Sequence, residues 1–293
     1  MTSNNFNKVK KVLWLILIAN LSVAALKIIV GTIIKSSSLT ADGFHSLTDG
    51  SSNIVGLIGI HFASKPVDEE HPYGHSKFET LAGLFIAVML FILGLRIISS
   101  AFSNMLHAIP TVPEVTIPSL AALLVTLAIN IFVAGYEFKQ GTLLNSTILI
   151  SDSLHTRSDI FVSIGVLFTL VCVRLGFPPI IDSMASLIVS IFVLHAAYEI
   201  FSETSGVLVD QAVVSSEEIK NILMNFPQVK NVHKIRSRGC NHHIYIDLHL
   251  LVEPYMSIES SHKLMHEIEE RLCFDLKKSV QAYIHLEPYY DKL

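Results

Sequence analysis

Charge is scarce in this chain: Asp, Glu, Lys and Arg together make up 16% of 293 residues, against 51% hydrophobic residues and a mean hydropathy of +0.53. So little charge spread over this length argues against an ordinary water-soluble fold, which could not keep that much apolar surface dry. The formal net charge is -4 and no basic stripe stands out, which argues against a nucleic-acid partner. Cysteine is nearly absent. Cys172, Cys240 and Cys273 are odd in number and widely spaced with no Cys-x-x-Cys unit, so neither a disulfide framework nor a thiolate zinc site is supported. His-Glu-x-x-His is also missing, and with it the usual signature of a membrane metallohydrolase. The chain reads as no enzyme.

What is present is a series of long apolar runs. Segments able to cross a bilayer can be drawn at 12–34, 40–62, 80–102, 115–136, 146–172 and 181–203, which predicts a membrane domain of six helices over residues 1–208. The first run follows Lys8, Lys10 and Lys11 and has no small-residue cleavage site, so it is expected to span the membrane rather than to be removed. With an even number of spans, both termini share one side. Lys8, Lys10, Lys11, Lys65, Lys77 and Lys139 flank that side, against Lys35 and Arg174 opposite, so it is assigned to the cytoplasm of a multi-pass cell-membrane protein.

Within these runs one pattern occurs twice. Asp-x-x-His-x-x-x-Asp begins at Asp42 and again at Asp152, giving the pairs His45 with Asp49 and His155 with Asp159. A spacing of four sets each pair on one helical face, so two such helices can converge four ligands on one ion. Ionisable groups are costly in hydrocarbon, and helices that keep them commonly have ion work to do. Two imidazoles and two carboxylates suit tetrahedral Zn²⁺, with Co²⁺ or Fe²⁺ as acceptable alternatives. Asp42 and Asp152, one turn earlier, either orient the histidines or line an aqueous entrance. Metal requires neutral imidazole and ionised carboxylate, so protons leave as the ion enters, and metal-for-proton exchange follows. Lys27 and Arg96 are expected to pair or snorkel, and Asn20 and Asn130 to join helices by hydrogen bonds.

Between the second and third runs, Pro66, Pro72 and Gly74 mark a loop containing Asp68, His71 and His75. These three residues are either a second ion site near the membrane surface or ordinary loop structure.

Residues 209–293 change character and predict a cytosolic α+β domain in the order helix, strand, strand, helix, strand, ferredoxin-like but without the leading strand. Ser215 or Ser216 caps the first helix ahead of Glu217 and Glu218. Strands are expected at Val232–Arg236, His243–Val252 and Val280–His285, with a helix over Ile258–Leu272. Alternation in the second strand sends Ile244, Ile246, Leu248, Leu250 and Val252 to the core, and His243, Tyr245, Asp247 and His249 to the other face. His233, His249 and His285 fall in or beside the three strands, with Glu287 two residues further on, which points to a metal cluster that His262 could complete or bridge. His242, His243 and His266 are read as turn or solvated residues.

The segments Ala41-Asp42-Gly43-Phe44-His45-Ser46-Leu47-Thr48-Asp49, His71-Pro72-Tyr73-Gly74-His75-Ser76-Lys77-Phe78-Glu79 and Asp152-Ser153-Leu154-His155-Thr156-Arg157-Ser158-Asp159 together resemble the cation diffusion facilitator family over nearly the whole chain. The resemblance implies a homodimer of six-helix subunits with cytosolic C-terminal domains, exporting divalent metal from the cytoplasm by proton antiport. It also implies a transport site at His45, Asp49, His155 and Asp159, and a loop site at Asp68, His71 and His75. Zinc sites joining the C-terminal domains would use His233, His249, His262, His285 and Glu287, the last standing where several relatives have Asp. Lys77 and Asp210 match a family charge pair. Zinc is the first expected cargo, ahead of Fe²⁺, Co²⁺, Mn²⁺ or Cd²⁺ by the same mechanism. A membrane metal sensor or scaffold without transport is the reading from another class, and the intact intramembrane pairs argue against it.

Overall fold

The structure, a computed structural model, describes residues 3–33, 46–47, 50–107, 117–175, 180–240 and 243–290. It divides into two compact units that meet in the chain between Ser205 and Gly206, close to the expected boundary at 209. The first unit is helical: α1 (Ser3–Ile33), α2 (Ser51–Ala63), α3 (Lys77–His107), α4 (Ile117–Leu144), α5 (Thr147–Arg174) and α6 (Ile180–Leu208), the last running just past the boundary. Among the described residues, three helices are long and apolar enough to cross a membrane: α1, α3 and α6. Trp14, Leu15 and Ile18 on α1 and Phe85, Phe91 and Ile92 on α3 remain exposed, as expected of surfaces whose solvent is lipid.

The helices outrun the apolar stretches that announce them. Helix α1 begins at Ser3 rather than at residue 12, and α4 continues through Glu137 and Lys139 to Leu144. Hydropathy marks only the apolar part of a helix; backbone hydrogen bonding carries it through polar residues at either end. Helix α5 is the least apolar of the long helices, because it carries Asp152, His155, Arg157 and Asp159.

Without a hydrophobic drive between helices in lipid, close packing depends on small residues. A Cβ added at Gly59 on α2 would come within 2.3 Å of Ala82 Cβ on α3, so these helices touch almost backbone to backbone. At Gly83 the same test places Ser151 Oγ of α5 at 3.1 Å. Helix α3 is thus held against both α2 and α5 at adjacent positions.

The second unit, Gly206–Leu293, follows the expected order: α7 (Ser216–Leu223), β1 (Asn231–Cys240), β2 (His243–Val252), α8 (Ile258–Leu276) and β3 (Ser279–Pro288). The sheet order is β1-β2-β3, with β1 antiparallel and β3 parallel to the central β2. Ser215 caps α7 by accepting from the Glu218 N–H. Ile244, Ile246, Leu248, Leu250 and Val252 are buried as their alternation predicts, against Ile219 and Leu223 of α7 and Leu264, Ile268 and Leu272 of α8.

Strand β1 runs four residues beyond its expected end at Arg236. The register shifts between His233 and Arg236, and Lys234 has φ 51°. Such a bulge inserts an extra residue and reverses the phase of alternation, so Val232 and Ser237 both face inward although one is even and the other odd. The expected strand ends at Arg236, where pairing resumes after the register shift.

Because Ile246 is fully buried on the central strand beneath both helices, Ile246→Ala in the soluble fragment 209–293 is expected to cost about 2–5 kcal/mol of unfolding free energy. Urea denaturation followed by circular dichroism checks this, and a loss below about 1 kcal/mol would mean that the helices do not close over the strand.

Candidate metal centres

A small cavity opens among the helices of the first unit, lined by Asn20, Val23, Lys27, Ser46, Ser52, Asn130, His155, Thr156 and Asp159. It therefore draws on α1, α2, α4 and α5, and on Ser46, which precedes α2. His155 and Asp159, one turn apart on α5, reach it together, with His155 Nε2 3.9 Å from Asp159 Oδ2. The His155 side chain is buried, and neither of its ring nitrogens hydrogen-bonds within the described residues. A buried imidazole without a partner is uncommon and calls for an occupant such as an ion or a water. His45, Asp49 and Asp42 lie outside the described residues.

Asp152 does not line this cavity. It is 1% exposed and receives a hydrogen bond from Asn53 Nδ2, while Asn20 Nδ2 donates to Asn53 Oδ1 at 2.9 Å. The chain Asn20, Asn53, Asp152 thereby ties α1, α2 and α5 together one turn below His155. Its burial does not fit an aqueous entrance, and its hydrogen bond from Asn53, rather than to His155, joins helices. Asn20 joins helices as its amide chemistry suggested, and Asn130 lines the cavity.

Glu137 belongs to the same network. On α4 it is fully buried, accepts from Thr156 Oγ1 at 3.0 Å and meets the carboxyl of Asp152. The signal for it was available: a glutamate in an apolar helix, seven residues after Asn130 and so on the same face. Lys27 is also buried at the cavity and donates to Ser46 Oγ at 2.8 Å.

The loop before α3 gathers its three residues into one cluster. Asp68 stands between the histidines, with Oδ1 3.1 Å from His71 Nδ1 and Oδ2 3.3 Å from His75 Nε2. The His71 backbone N–H donates to Asp68 at 2.7 Å and holds that carboxyl below its ordinary range, so it stays ionised at lower pH than a free aspartate. His75 is buried between His71, at 4.2 Å between ring centroids, and Phe78. One ligand atom from each of the three lies within 4.8 Å of the others.

In the second unit, register brings the strand histidines into line. His233 pairs with His249 and His249 with His285 across the three strands, and Glu287 follows two residues later on the same face. Glu287 bridges two of them, with Oε2 3.3 Å from His233 Nε2 and Oε1 2.6 Å from His249 Nδ1. The hydrogen bond with His249 holds the Glu287 carboxyl below its ordinary range. His233, His249 and Glu287 form the compact group, while the His285 ring lies beside His249 at 4.6 Å. His262 is directed elsewhere: its Nε2 is 3.2 Å from Nε2 of His266, one turn along α8. Asp210, at φ 58°, lies 3.5 Å from Arg238 within the same unit.

The donor sets are those that divalent transition metals accept, imidazole nitrogen with carboxylate oxygen, at both outer clusters and at the described half of the cavity. Comparison with known proteins agrees. The cation efflux transmembrane domain matches residues 13–209, and the cytoplasmic domain of cation efflux proteins matches residues 214–289. An uncharacterised transporter of Methanocaldococcus jannaschii is 32% identical, covering 96% of this chain and 98% of its own. The manganese efflux system protein MneP of Bacillus subtilis is 28% identical over 97% of each chain. Metal tolerance protein C1 of Arabidopsis thaliana is 28% identical over 95% of this chain and 62% of its own. With both of its parts matched in order, the chain belongs to the cation diffusion facilitator family of divalent-metal efflux transporters, membrane proteins that are not enzymes.

Proposed function

We propose that this protein exports Zn²⁺ from the cytoplasm in exchange for protons. The observation that carries the reading is the buried His155, whose ring nitrogens have no hydrogen bond among the described residues, beside Asp159 in a cavity at the meeting of several helices, on a motif that recurs at Asp42 to Asp49. In this reading His45 and Asp49 supply the other two ligands. Asp152, Asn53 and Asn20 hold the α5 ligands in place, and Lys27 offsets part of the carboxylate charge when the ion has left. The chain crosses the membrane six times with both termini cytoplasmic, and it works as a homodimer through ferredoxin-like C-terminal domains.

Asp68, His71 and His75 hold a second ion at the membrane surface. His233, His249, Glu287 and His285 hold resident zinc in the cytosolic domain, with His262 a further ligand supplied on pairing of two copies. Zinc there would cross-link strands and offset the acidic surface of the domain, stabilising it by mass action.

A second reading keeps the mechanism and changes the cargo to Mn²⁺, Fe²⁺, Co²⁺ or Cd²⁺. The relative named for manganese efflux favours the first of these. The donor chemistry weighs the other way, because two imidazoles suit Zn²⁺ better than the harder Mn²⁺.

In liposomes containing the purified protein, Asp159→Ala and Asp49→Ala should each abolish Zn²⁺ uptake while leaving the particle size unchanged, since the ion loses an oxygen ligand and its charge compensation. Undiminished uptake by both variants would remove the ion from this cavity. Replacing His45 by Asp should lower the ratio of Zn²⁺ to Mn²⁺ transport efficiency by about tenfold, because a nitrogen donor becomes a hard oxygen; an unchanged ratio would show that donor identity here does not set the choice. Proton counterflow should accompany Zn²⁺, with an opposing pH gradient speeding uptake, because the ligands shed protons to accept metal. Zinc movement without internal pH change anywhere between about pH 6 and 8 would leave uniport.

A further inference from the structure

Glu79 is a carboxylate that neither cluster uses. It is buried in the first turn of α3, and its partners lie on another helix: Ser146 Oγ donates to Glu79 Oε1 at 2.5 Å and the Ile148 N–H donates to the same atom at 3.4 Å. The Thr147 N–H contributes as well. Ser146 immediately precedes α5, where a serine hydroxyl would ordinarily accept from the first-turn amides. Here that hydroxyl donates outward, and the carboxylate from α3 takes the free amides. Glu79 is therefore the N-terminal cap of α5, supplied by a different helix and aligned with the positive end of its dipole.

The position of this cap gives it a further consequence. Glu79 is one turn after His75, and the Phe78 N–H bonds to the His75 carbonyl at 3.0 Å, so the loop cluster and the cap share one stretch of hydrogen-bonded backbone. On the other side, His155 lies eight residues after Thr147 along unbroken helix, about 12 Å at the usual rise. The same two helices meet again one turn further at Gly83 and Ser151, next to Asp152. An axial shift of α3 is thus passed to α5 at two adjacent points.

We infer that Glu79 is a positioning residue that couples the ion cluster at Asp68, His71 and His75 to the cavity at His155 and Asp159, through the N-terminus of α5. Filling of the loop cluster draws in His71 and His75, fixes the start of α3 and, through Glu79, sets where α5 presents its ligands. The inference rests on the proposed transport reading for the role of the cavity, but the coupling itself can be measured without transport.

The test uses full-length protein in nanodiscs carrying His155→Ala and Asp159→Ala, so that zinc at the cavity contributes nothing, with Zn²⁺ as the probe and hydrogen exchange of residues 146–152 as the readout. Zinc is expected to slow exchange there by about threefold or more. Adding Asp68→Ala, His71→Ala and His75→Ala should remove this response. Adding Glu79→Ala should also remove it, although calorimetry still finds zinc at the loop cluster; Glu79→Gln, which keeps an acceptor for Ser146, should restore part. A cap with a merely structural role would raise basal exchange in Glu79→Ala yet leave the zinc response, and that result overturns the inference, as does the lack of any zinc response before Glu79 is changed. If Glu79→Ala does not fold, Glu79→Gln carries the test, with a response reduced by about twofold or more expected and an undiminished one overturning it. Normal transport by the His155 and Asp159 variants would sink the cavity assignment while leaving this coupling readable.

Discussion

A charged or strongly polar group removed from water has to find a partner, a proton or an ion, and in the helical unit this requirement shapes almost every polar contact. Asp152 takes Asn53, Asn53 takes Asn20, Glu137 takes Thr156, and Glu79 takes the N-terminus of α5. Asp152 and Glu137 each keep one buried oxygen without a hydrogen bond, and His155 has neither ring nitrogen hydrogen-bonded among the described residues. The network fixes α1, α2, α4 and α5 around an imidazole that has no hydrogen-bond partner among the described residues.

The outer clusters meet the same chemistry under easier conditions. Asp68 and Glu287 are reachable by water, and each is kept ionised by a hydrogen bond from a neighbouring histidine. In both clusters histidine and carboxylate already touch, and in the loop cluster His75 Nδ1 is buried without a hydrogen bond. What the sheet adds is alignment: three strands in register deliver His233, His249 and His285 to one row without any loop having to place them. The bulge at Lys234 leaves His233 in that row while changing the phase of everything after it.

Much of this was legible in the residues because spacing and secondary structure share a period. His155 and Asp159 are one helical turn apart in any α-helix, and the alternation of β2 assigns its core and its histidine face without further knowledge. The loop trio is also local, with Asp68, His71 and His75 brought together by a short turn. Contacts between distant segments were not legible in this way. That Asn53 would reach Asp152, or Glu79 the start of α5, depends on the rotation and depth of two helices, and no one-dimensional pattern encodes either. Glu137 could have been flagged as an acidic residue in an apolar helix, but its partner could not. His262 shows the opposite case: on an exposed helix face, local spacing to His266 decided its contact in this subunit.

The helix packing also constrains how such a protein can choose its cargo. A relative with 28% identity over nearly the full length is named for manganese efflux, while the family as a whole carries divalent metals. A family that keeps one scaffold while changing ions must adjust something besides scaffold shape, and the backbone at the contact points leaves little room. Gly59 against Ala82 leaves no room for a side chain and Gly83 against Ser151 leaves little, so larger residues at these contacts would push α3 away from α2 and α5. Side chains that line the cavity without belonging to the repeated motif, Lys27 and Asn130 among them, share the same space as His155 and Asp159. Buried at the cavity wall, Lys27 donates to Ser46 Oγ at 2.8 Å, so its position is set by a side chain just before α2 as well as by α1.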